Sequence, residues 1–337
     1  MTLTITRNAE RQSTMTGCIY FGKLTAIALC MVLSTGAAKF FAEHLLAPRS
    51  SGISGALAQK KLDLLLIGSS HTRMSYDMRR FEEFAGLSSS FLVAYDGADL
   101  RTISQIMDYL VSRPDKCPRY MVIEAYSAML ARGPDLQDPR FFFDAPPPLK
   151  ERIIRSYLSS HGNRAALLDI FDLLVNRGNE VIVSYPLNSL VMQMSSYKGG
   201  RMEFSSPGVS PETFRNFVPR VVSGTPDPFQ VSALNHILDL AANSGVSVFF
   251  IETPLPGPVS SDKRIQSLKA QFRQILRGRQ VRYIDGDLDF PINDPSLFCD
   301  DNHLSTTGRE RFTAEIGPEV KSWMDSISLH REPVSTH

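Results

Sequence analysis

The chain has 337 residues, of which 43% are hydrophobic, enough for one large domain or two ordinary ones with a buried core. Charged residues are nearly balanced, with a formal net charge of +1, and form no basic stripe, so we predict no nucleic-acid partner. The four cysteines form no C-x-x-C pair, so the sequence predicts no zinc or thioredoxin-like site and no cofactor.

The first hydrophobic segment lies close to the N-terminus. Residues 1–16 are polar and contain two arginines, and residues 17–38 read GCIYFGKLTAIALCMVLSTGAA with Lys23 as the single charge. Such a segment is long enough to cross a bilayer, and basic residues ahead of it favour a cytoplasmic N-terminus. We predict an uncleaved signal-anchor transmembrane helix, with a cleaved signal peptide as the alternative. Residues 39–59 would then form a flexible tether.

Residues 60–327 alternate between short aliphatic runs and amphipathic stretches. The predicted strands are the runs at 62–68, 89–97, 119–125, 246–254 and 281–285, and helical spacing is clearest at 100–113, 231–245, 262–279 and 306–327. Nearly continuous apolar strands that alternate with helices are typical of a parallel sheet covered on both faces. We therefore predict a doubly wound, flavodoxin-like α/β domain with five strands, followed by a tail at 328–337.

One long interval interrupts this rhythm. Residues 130–227 are rich in Pro, Gly, Met and aromatic residues, which predicts an insertion over the sheet edge, with a mobile loop as the alternative. Four of its side chains are candidates for lining an acceptor groove, although such a Met-rich stretch more often serves packing: Met192, Met194, Tyr197 and Phe204.

Polar residues follow every predicted strand. They are Ser69, Ser70 and His71 after the first, Asp96, Gly97 and Asp99 after the second, Glu124, Tyr126 and Ser127 at the third, Glu252 at the fourth, and Asp300, Asp301 and His303 after the fifth. Because the carboxyl ends of parallel strands meet at one rim, we expect these residues to converge there.

A serine, a histidine and a carboxylate are the parts of a nucleophilic acyl-transfer site. A serine hydroxyl needs a base to take its proton, histidine has a suitable pKa, and a carboxylate orients the imidazole. Asp300 and His303 are three residues apart, so we predict His303 as base and Asp300 as the orienting carboxylate, with Asp301 as the fallback and a serine after the first strand as nucleophile. No metal ligand set is predicted.

The histidine loop is expected to run directly into the last helix. Ser305 and Thr307 are both candidate N-caps, and Thr307 with Glu310 fits a capping box.

The stretches IGSSHTR and DDNHLSTTG resemble the first and last sequence blocks of the SGNH/GDSL hydrolase superfamily, and the likeness covers residues 60–327. The resemblance implies that Ser70 is the nucleophile and that Asp300 and His303 complete its triad. It also implies that the backbone N–H groups of Ser70 and Gly97 form the oxyanion hole.

The sequence departs from this family pattern in two places. Ser69 replaces the aspartate that usually precedes the nucleophile, and the third block, residues 124–127, lacks the asparagine that donates to the oxyanion. Loss of one such donor typically slows catalysis by about 100- to 1000-fold. His71, Arg73 and Tyr126 are candidates for replacing it or for contacting substrate.

The variant first block and the apolar N-terminal segment resemble a divergent, membrane-anchored branch. It includes the teichoic acid D-alanyl transfer protein and the SGNH-like domains of alginate O-acetyltransferases. This resemblance implies a serine esterase or O-acyltransferase that acts on acyl esters of a cell-envelope or exported polysaccharide. The expected partners are an acylated carbohydrate polymer or an acyl-donor protein.

The expected location is the cytoplasmic (inner) membrane, crossed once, with the catalytic domain outside the cytoplasm and periplasmic in a Gram-negative cell. The alternative is a catalytically degenerate protein of the same fold that binds polysaccharide or serves as a scaffold.

Overall fold

The computed structural model describes residues 52–131, 138, 141, 144–161, 205–220 and 223–330. The predicted anchor, at 17–38, and the predicted acceptor-groove residues, between 192 and 204, lie outside these ranges. Within the described ranges, no helix has the length and apolar character needed to cross a membrane.

The core of the domain is one sheet of five parallel strands. The strands are β1 (Leu64–Gly68), β2 (Ser90–Ala94), β3 (Tyr120–Glu124), β4 (Ser247–Glu252) and β5 (Arg282–Asp285). Their order across the sheet is β2-β1-β3-β4-β5, and every neighbouring pair is parallel. The prediction of a five-stranded, doubly wound parallel sheet is therefore confirmed.

Ten helices and two 3-10 turns accompany these strands in the described part of the chain. The helices are α1 (Gly52–Leu57), α2 (Ser70–Ser75), α3 (Met78–Ala85), α4 (Leu100–Val111), α5 (Pro147–His161), α6 (Pro211–Arg215), α7 (Pro228–Ser244), α8 (Gly257–Ser260), α9 (Lys263–Leu276) and α10 (Thr306–His330). The 3-10 turns are Ser127–Ala131 and Pro295–Leu297.

Both faces of the sheet are covered, because successive strand residues point to opposite sides. On β1, Leu65 and Ile67 belong to the apolar cluster that also contains residues of α1, α4, α7 and α9. Leu64 and Leu66 belong to the second cluster, which contains residues of α3 and α10. This two-sided burial explains why the strands are aliphatic throughout rather than alternating.

The start of the domain differs from the prediction of a flexible tether through residue 59. Helix α1 lies inside that segment, and its Ile53 and Ala56 are buried against the first apolar cluster. The N–H of Ile53 also donates to the Tyr95 hydroxyl at 3.0 Å. The small and polar residues of this segment suggested a linker. Ile53 and Ala56, one helical turn apart, nevertheless pack the helix against the first apolar cluster.

A buried ion network joins the carboxyl ends of β4 and β5. The Lys269 side chain is 1% exposed, and its Nζ lies 3.4 Å from Glu252, 2.8 Å from Asp285 and 2.5 Å from Asp287. Nearby negative charge raises the pKa of Lys269 against the opposing effect of burial.

Across the described residues, no group of three or more His, Cys, Asp or Glu side chains is placed to hold a metal ion.

The order of the strands creates a switch point between β1 and β3. The chain leaves β1 toward β2 on one side, and β3 then joins the other side of β1. Ligands of open α/β sheets bind beyond the carboxyl ends of the strands at such a point. Ser70 is the second residue after β1 and Glu124 is the last residue of β3, so both lie at this position.

Candidate active site

Three predicted side chains form one hydrogen-bonded line at this rim. The Ser70 hydroxyl lies 2.8 Å from Nε2 of His303, and Nδ1 of His303 lies 2.8 Å from Oδ2 and 3.0 Å from Oδ1 of Asp300. These distances suit transfer of the serine proton to the imidazole and orientation of the ring by the carboxylate. The structure thus brings together residues that are 230 positions or more apart in the chain.

A tight loop holds the carboxylate of Asp300 beneath the histidine ring. Its Oδ1 accepts hydrogen bonds from the N–H of Asn302 at 2.9 Å and of His303 at 2.8 Å. Burial acts to raise the pKa of Asp300, but hydrogen bonds from His303 and Asn302 and the charge of His303 outweigh it and lower the pKa to about 2. Asp300 is therefore ionised whenever the imidazole accepts a proton.

The loop continues into α10 through Ser305. The Ser305 hydroxyl accepts the N–H of Gly308 at 3.1 Å and donates to the Ser296 carbonyl at 2.7 Å. Helix α10 begins at Thr306, which puts Thr307 within its first turn. The predicted capping box of Thr307 and Glu310 is therefore wrong, because Ser305 takes the capping position first.

Asp301 does not orient the histidine. Its carboxylate pairs with Arg220, with Nη2–Oδ1 and Nε–Oδ2 distances of 2.7 and 2.9 Å. Arg220 belongs to the predicted insertion, so this ion pair attaches a described part of that segment to the loop that carries Asp300 and His303. Asp300 is the carboxylate in contact with the imidazole.

Ser70 is the first residue of α2, a position that leaves its backbone N–H available. The N–H groups around it are occupied: those of Ser69 and Thr72 donate to Glu124, that of His71 to the Ser69 hydroxyl, and that of Arg73 to the Ser69 carbonyl. Within the described residues, the Ser70 N–H has no intramolecular acceptor. It is therefore free to donate to the carbonyl oxygen of an ester that the Ser70 hydroxyl would attack, where the oxyanion would form.

Gly97 lies in the turn after β2, next to the end of β1. Its φ of +75° is a left-handed conformation that favours glycine, and the neighbouring Tyr95 N–H donates to the Gly68 carbonyl at 3.1 Å. In the part of the chain that the structure describes, the Gly97 N–H also has no acceptor. It remains the candidate for the second oxyanion donor.

Arg73 ties α2 to this glycine turn. Its side chain is buried, and its Nε and Nη2 lie 3.0 and 2.7 Å from Oδ1 of Asp96. The N–H of Asp96 in turn donates to Asp138 at 2.7 Å. Arg73 therefore fixes the residue that precedes Gly97. The contact between Arg73 and substrate that was considered from the sequence stays a prediction.

His71 and Tyr126 form a buried aromatic pair beside His303. Their rings stack with centroids 4.0 Å apart, and the His71 ring lies 5.0 Å from that of His303. His71 thus borders His303, and Tyr126 packs on the His71 ring. A contact of His71 or Tyr126 with substrate stays a prediction.

The sequence did not reveal the role of Glu124. This buried side chain accepts four hydrogen bonds, from the N–H and hydroxyl groups of Ser69 and Thr72. Burial raises the pKa of Glu124, and the hydrogen bonds from Thr72 and Ser69 oppose that change. The sequence offered one indication of this role. Glu124 is an acidic residue at the end of the aliphatic run RYMVIEA, in a strand that is predicted to be buried on both faces.

The chain is similar in structure to several esterases and lipases, at low identity. A protein from Bacteroides fragilis NCTC 9343 that is named as an acylhydrolase is 10% identical, with a TM-score of 0.38. The match covers 80% of this chain and 93% of that one. A GDSL-like lipase from Bacteroides thetaiotaomicron VPI-5482 is 10% identical, with a TM-score of 0.36 and coverage of 85% and 98%. An acetyl xylan esterase from the rumen bacterium Butyrivibrio proteoclasticus is 9% identical, with a TM-score of 0.34 and coverage of 79% and 65%. No family model and no curated protein sequence matches the chain.

Proposed function

We propose that the protein is a serine esterase of the SGNH/GDSL type. The observation that carries this proposal is the line of contacts from the Ser70 hydroxyl through His303 to Asp300. Free backbone N–H groups beside the nucleophile support it further. A pair of hydrogen-bonded polar residues at a sheet rim has many structural uses, but a serine, histidine and carboxylate in this order fit covalent catalysis.

The proposed reaction has two halves. The Ser70 Oγ attacks the carbonyl carbon of an acyl ester while Nε2 of His303 takes the hydroxyl proton, and the N–H groups of Ser70 and Gly97 stabilise the oxyanion. The intermediate collapses, the alcohol leaves with the proton from His303, and an acyl-serine remains. Water then attacks that ester with His303 as base, which releases the carboxylic acid and restores Ser70.

The same acyl-enzyme can serve transfer instead of hydrolysis. If a sugar hydroxyl replaces water in the second half, the product is a new ester and the protein acts as an O-acyltransferase. We propose an envelope or exported polysaccharide as donor or acceptor, on the strength of the sequence resemblance. Incubation with p-nitrophenyl acetate and a polysaccharide acceptor separates the two outcomes: hydrolysis yields acetate, and transfer yields an acetylated polymer.

We propose that residues 17–38 anchor the chain in the cytoplasmic membrane, with the α/β domain outside. Support comes from the length and apolar character of the segment and the arginines ahead of it. Extraction of membranes with alkaline carbonate tests this: an anchored chain stays in the pellet with its N-terminus intact. A released chain that begins near residue 39 would instead indicate a cleaved signal peptide.

Steady-state hydrolysis of p-nitrophenyl acetate by the full-length chain tests the catalytic proposal. We expect turnover that is lost in Ser70→Ala and retained in Ser89→Ala, a change at the opposite end of the sheet. Absence of turnover in the native chain would favour the degenerate polysaccharide-binding protein, a reading that the missing asparagine of the third block supports.

A further inference from the structure

The turn that carries Ser70 is held by a carboxylate from the neighbouring strand. Oε2 of Glu124 accepts the N–H of Ser69 at 2.6 Å, the N–H of Thr72 at 3.2 Å and the hydroxyl of Thr72 at 2.6 Å. Oε1 accepts the hydroxyl of Ser69 at 2.7 Å. Four donors therefore point at one side chain, two from each side of the nucleophile.

Only an ionised carboxylate accepts all four of these bonds. A neutral acid or an amide carries a donor on one of its two terminal atoms, and that donor would face the Ser69 hydroxyl. The Ser69 oxygen, which already accepts the N–H of His71 at 3.2 Å, would then have to accept a second hydrogen bond, and its own proton would turn away from residue 124. The donor set of the turn is thus matched to a charged acceptor.

The fit around this carboxylate is too close for a side chain at position 68. A Cβ added to Gly68 would lie 2.3 Å from Oε2 of Glu124 and 1.9 Å from the Thr72 hydroxyl. Glycine at the end of β1 therefore allows the carboxylate to reach the turn from β3. This close packing is an observation independent of the hydrogen bonds. It also places the Glu124 carboxylate against the Ser69–Thr72 turn.

The position of Glu124 also determines which N–H groups remain for catalysis. By occupying the N–H groups of Ser69 and Thr72, it leaves that of Ser70 as the free donor among the described residues at the start of α2. The N–H groups of Ser69 and Thr72 therefore stabilise the turn, and the N–H of Ser70 is left to donate to an oxyanion.

We propose that Glu124 is a positioning residue that, as a buried carboxylate, fixes the Ser69–Thr72 turn and so directs the Ser70 hydroxyl and N–H at the substrate. The inference rests on the esterase function proposed above. It assigns a role to the first residue of the stretch 124–127, which lacks the family's oxyanion asparagine: Glu124 accepts hydrogen bonds rather than donating one, and it acts through the turn.

The variant Glu124→Gln tests this role because it keeps the shape of the side chain. We expect kcat for p-nitrophenyl acetate to fall by about 10- to 100-fold, as expected for a displaced nucleophile, with KM nearly unchanged. Burial raises the folded-state pKa of Glu124, so ionisation costs stability above the pKa of the unfolded chain, and the neutral amide avoids that cost. The amide also loses the bond that Oε1 accepts from the Ser69 hydroxyl, so the two effects on stability oppose each other. The Tm should therefore stay close to the native value while kcat falls, which a purely structural role would not give.

Glu82→Gln is the matched control. Glu82 also accepts both the N–H and the hydroxyl of one serine, Ser90, at 3.0 Å each, but at the start of β2, the far end of the sheet. Its replacement should leave kcat unchanged. Thr72→Val adds a double-mutant cycle: if Glu124 acts through the turn, the effects of Thr72→Val and Glu124→Gln on kcat combine to less than their product.

The outcomes distinguish this inference from the function on which it rests. Native turnover with unchanged kcat in Glu124→Gln, or a loss that follows a lowered Tm, or fully multiplicative effects with Thr72→Val, would overturn the role of Glu124. Absence of turnover in the native chain would instead overturn the esterase.

Discussion

The replacement Asp300→Asn should remove the catalytic base without moving it. Oδ1 of Asp300 accepts two backbone N–H groups, at 2.9 and 2.8 Å, so the amide oxygen of the asparagine must occupy that position. The amide nitrogen is then placed at the Oδ2 position, 2.8 Å from Nδ1 of His303. It donates to Nδ1, which forces the imidazole proton onto Nε2, where Ser70 needs an acceptor.

The expected loss is large because the wrong tautomer cannot take the serine proton. We expect kcat to fall by about 10³- to 10⁴-fold, the size of effect seen for the same replacement in serine proteases. That range corresponds to about 4 to 5.5 kcal/mol of transition-state stabilisation. KM should change little, since Asp300 lies behind the ring. The measurement is steady-state hydrolysis of p-nitrophenyl acetate.

Asp301→Asn provides the matched control, one residue away. Asp301 pairs with the exposed Arg220, and such a pair contributes less than about 1 kcal/mol. The reasoning would be refuted if Asp300→Asn retained a rate near that of the native chain, or if Asp301→Asn suffered the larger loss.

Three further predictions concern charge and backbone. Asp300 has a folded-state pKa of about 2, below its unfolded value of about 3.9, so its stabilising effect is complete above that value. Acid titration of Tm should show the advantage of the native chain over Asp300→Asn shrinking as pH falls from about 4 toward 2. Lys269→Met leaves buried carboxylates without their cation and should cost about 3 to 5 kcal/mol in urea unfolding. Lys321→Met, on an exposed helical pair, should cost less than about 0.5 kcal/mol. Gly97→Ala and Gly245→Ala, with φ of +75° and +74°, should each destabilise by about 1 to 2 kcal/mol. Only Gly97→Ala should also lower kcat, by about 10- to 100-fold; equal kinetics in both variants would argue against an oxyanion role.

The architecture was readable from the sequence because parallel strands buried on both faces leave a simple pattern. All five aliphatic runs became strands, and the polar residues after them were expected at one rim because strand direction alone decides which ends meet. The convergence of Ser70 with Asp300 and His303 follows from that topology. Nothing in the local sequence of either segment required it.

Local features were harder to predict where tertiary contacts compete with local signals. Helix α1 looked like a linker because Gly52 and Gly55 have low helix propensity, yet burial of Ile53 outweighs it. The cap of α10 was ambiguous between two hydroxyl residues, and the hydrogen bond from Ser305 to the Ser296 carbonyl decided it.

The role of Glu124 could not be predicted from the sequence for a different reason. Its partners, Ser69 and Thr72, are more than fifty positions away, and the match of four donors to one carboxylate appears only when β1 and β3 are paired. The same holds for Arg73, whose pairing with Asp96 depends on the neighbouring positions of β1 and β2. Sequence patterns give the residue types at a rim, whereas their pairing depends on register.

The central claim is that Ser70 is a nucleophile activated by His303, and covalent labelling tests it most directly. The full-length chain is incubated with a fluorophosphonate ester, digested and analysed by mass spectrometry. We predict one adduct, on the peptide that contains Ser70 and located at that residue, and its absence in His303→Ala. An unlabelled native chain, an adduct on Ser69, or undiminished labelling of His303→Ala would contradict the account.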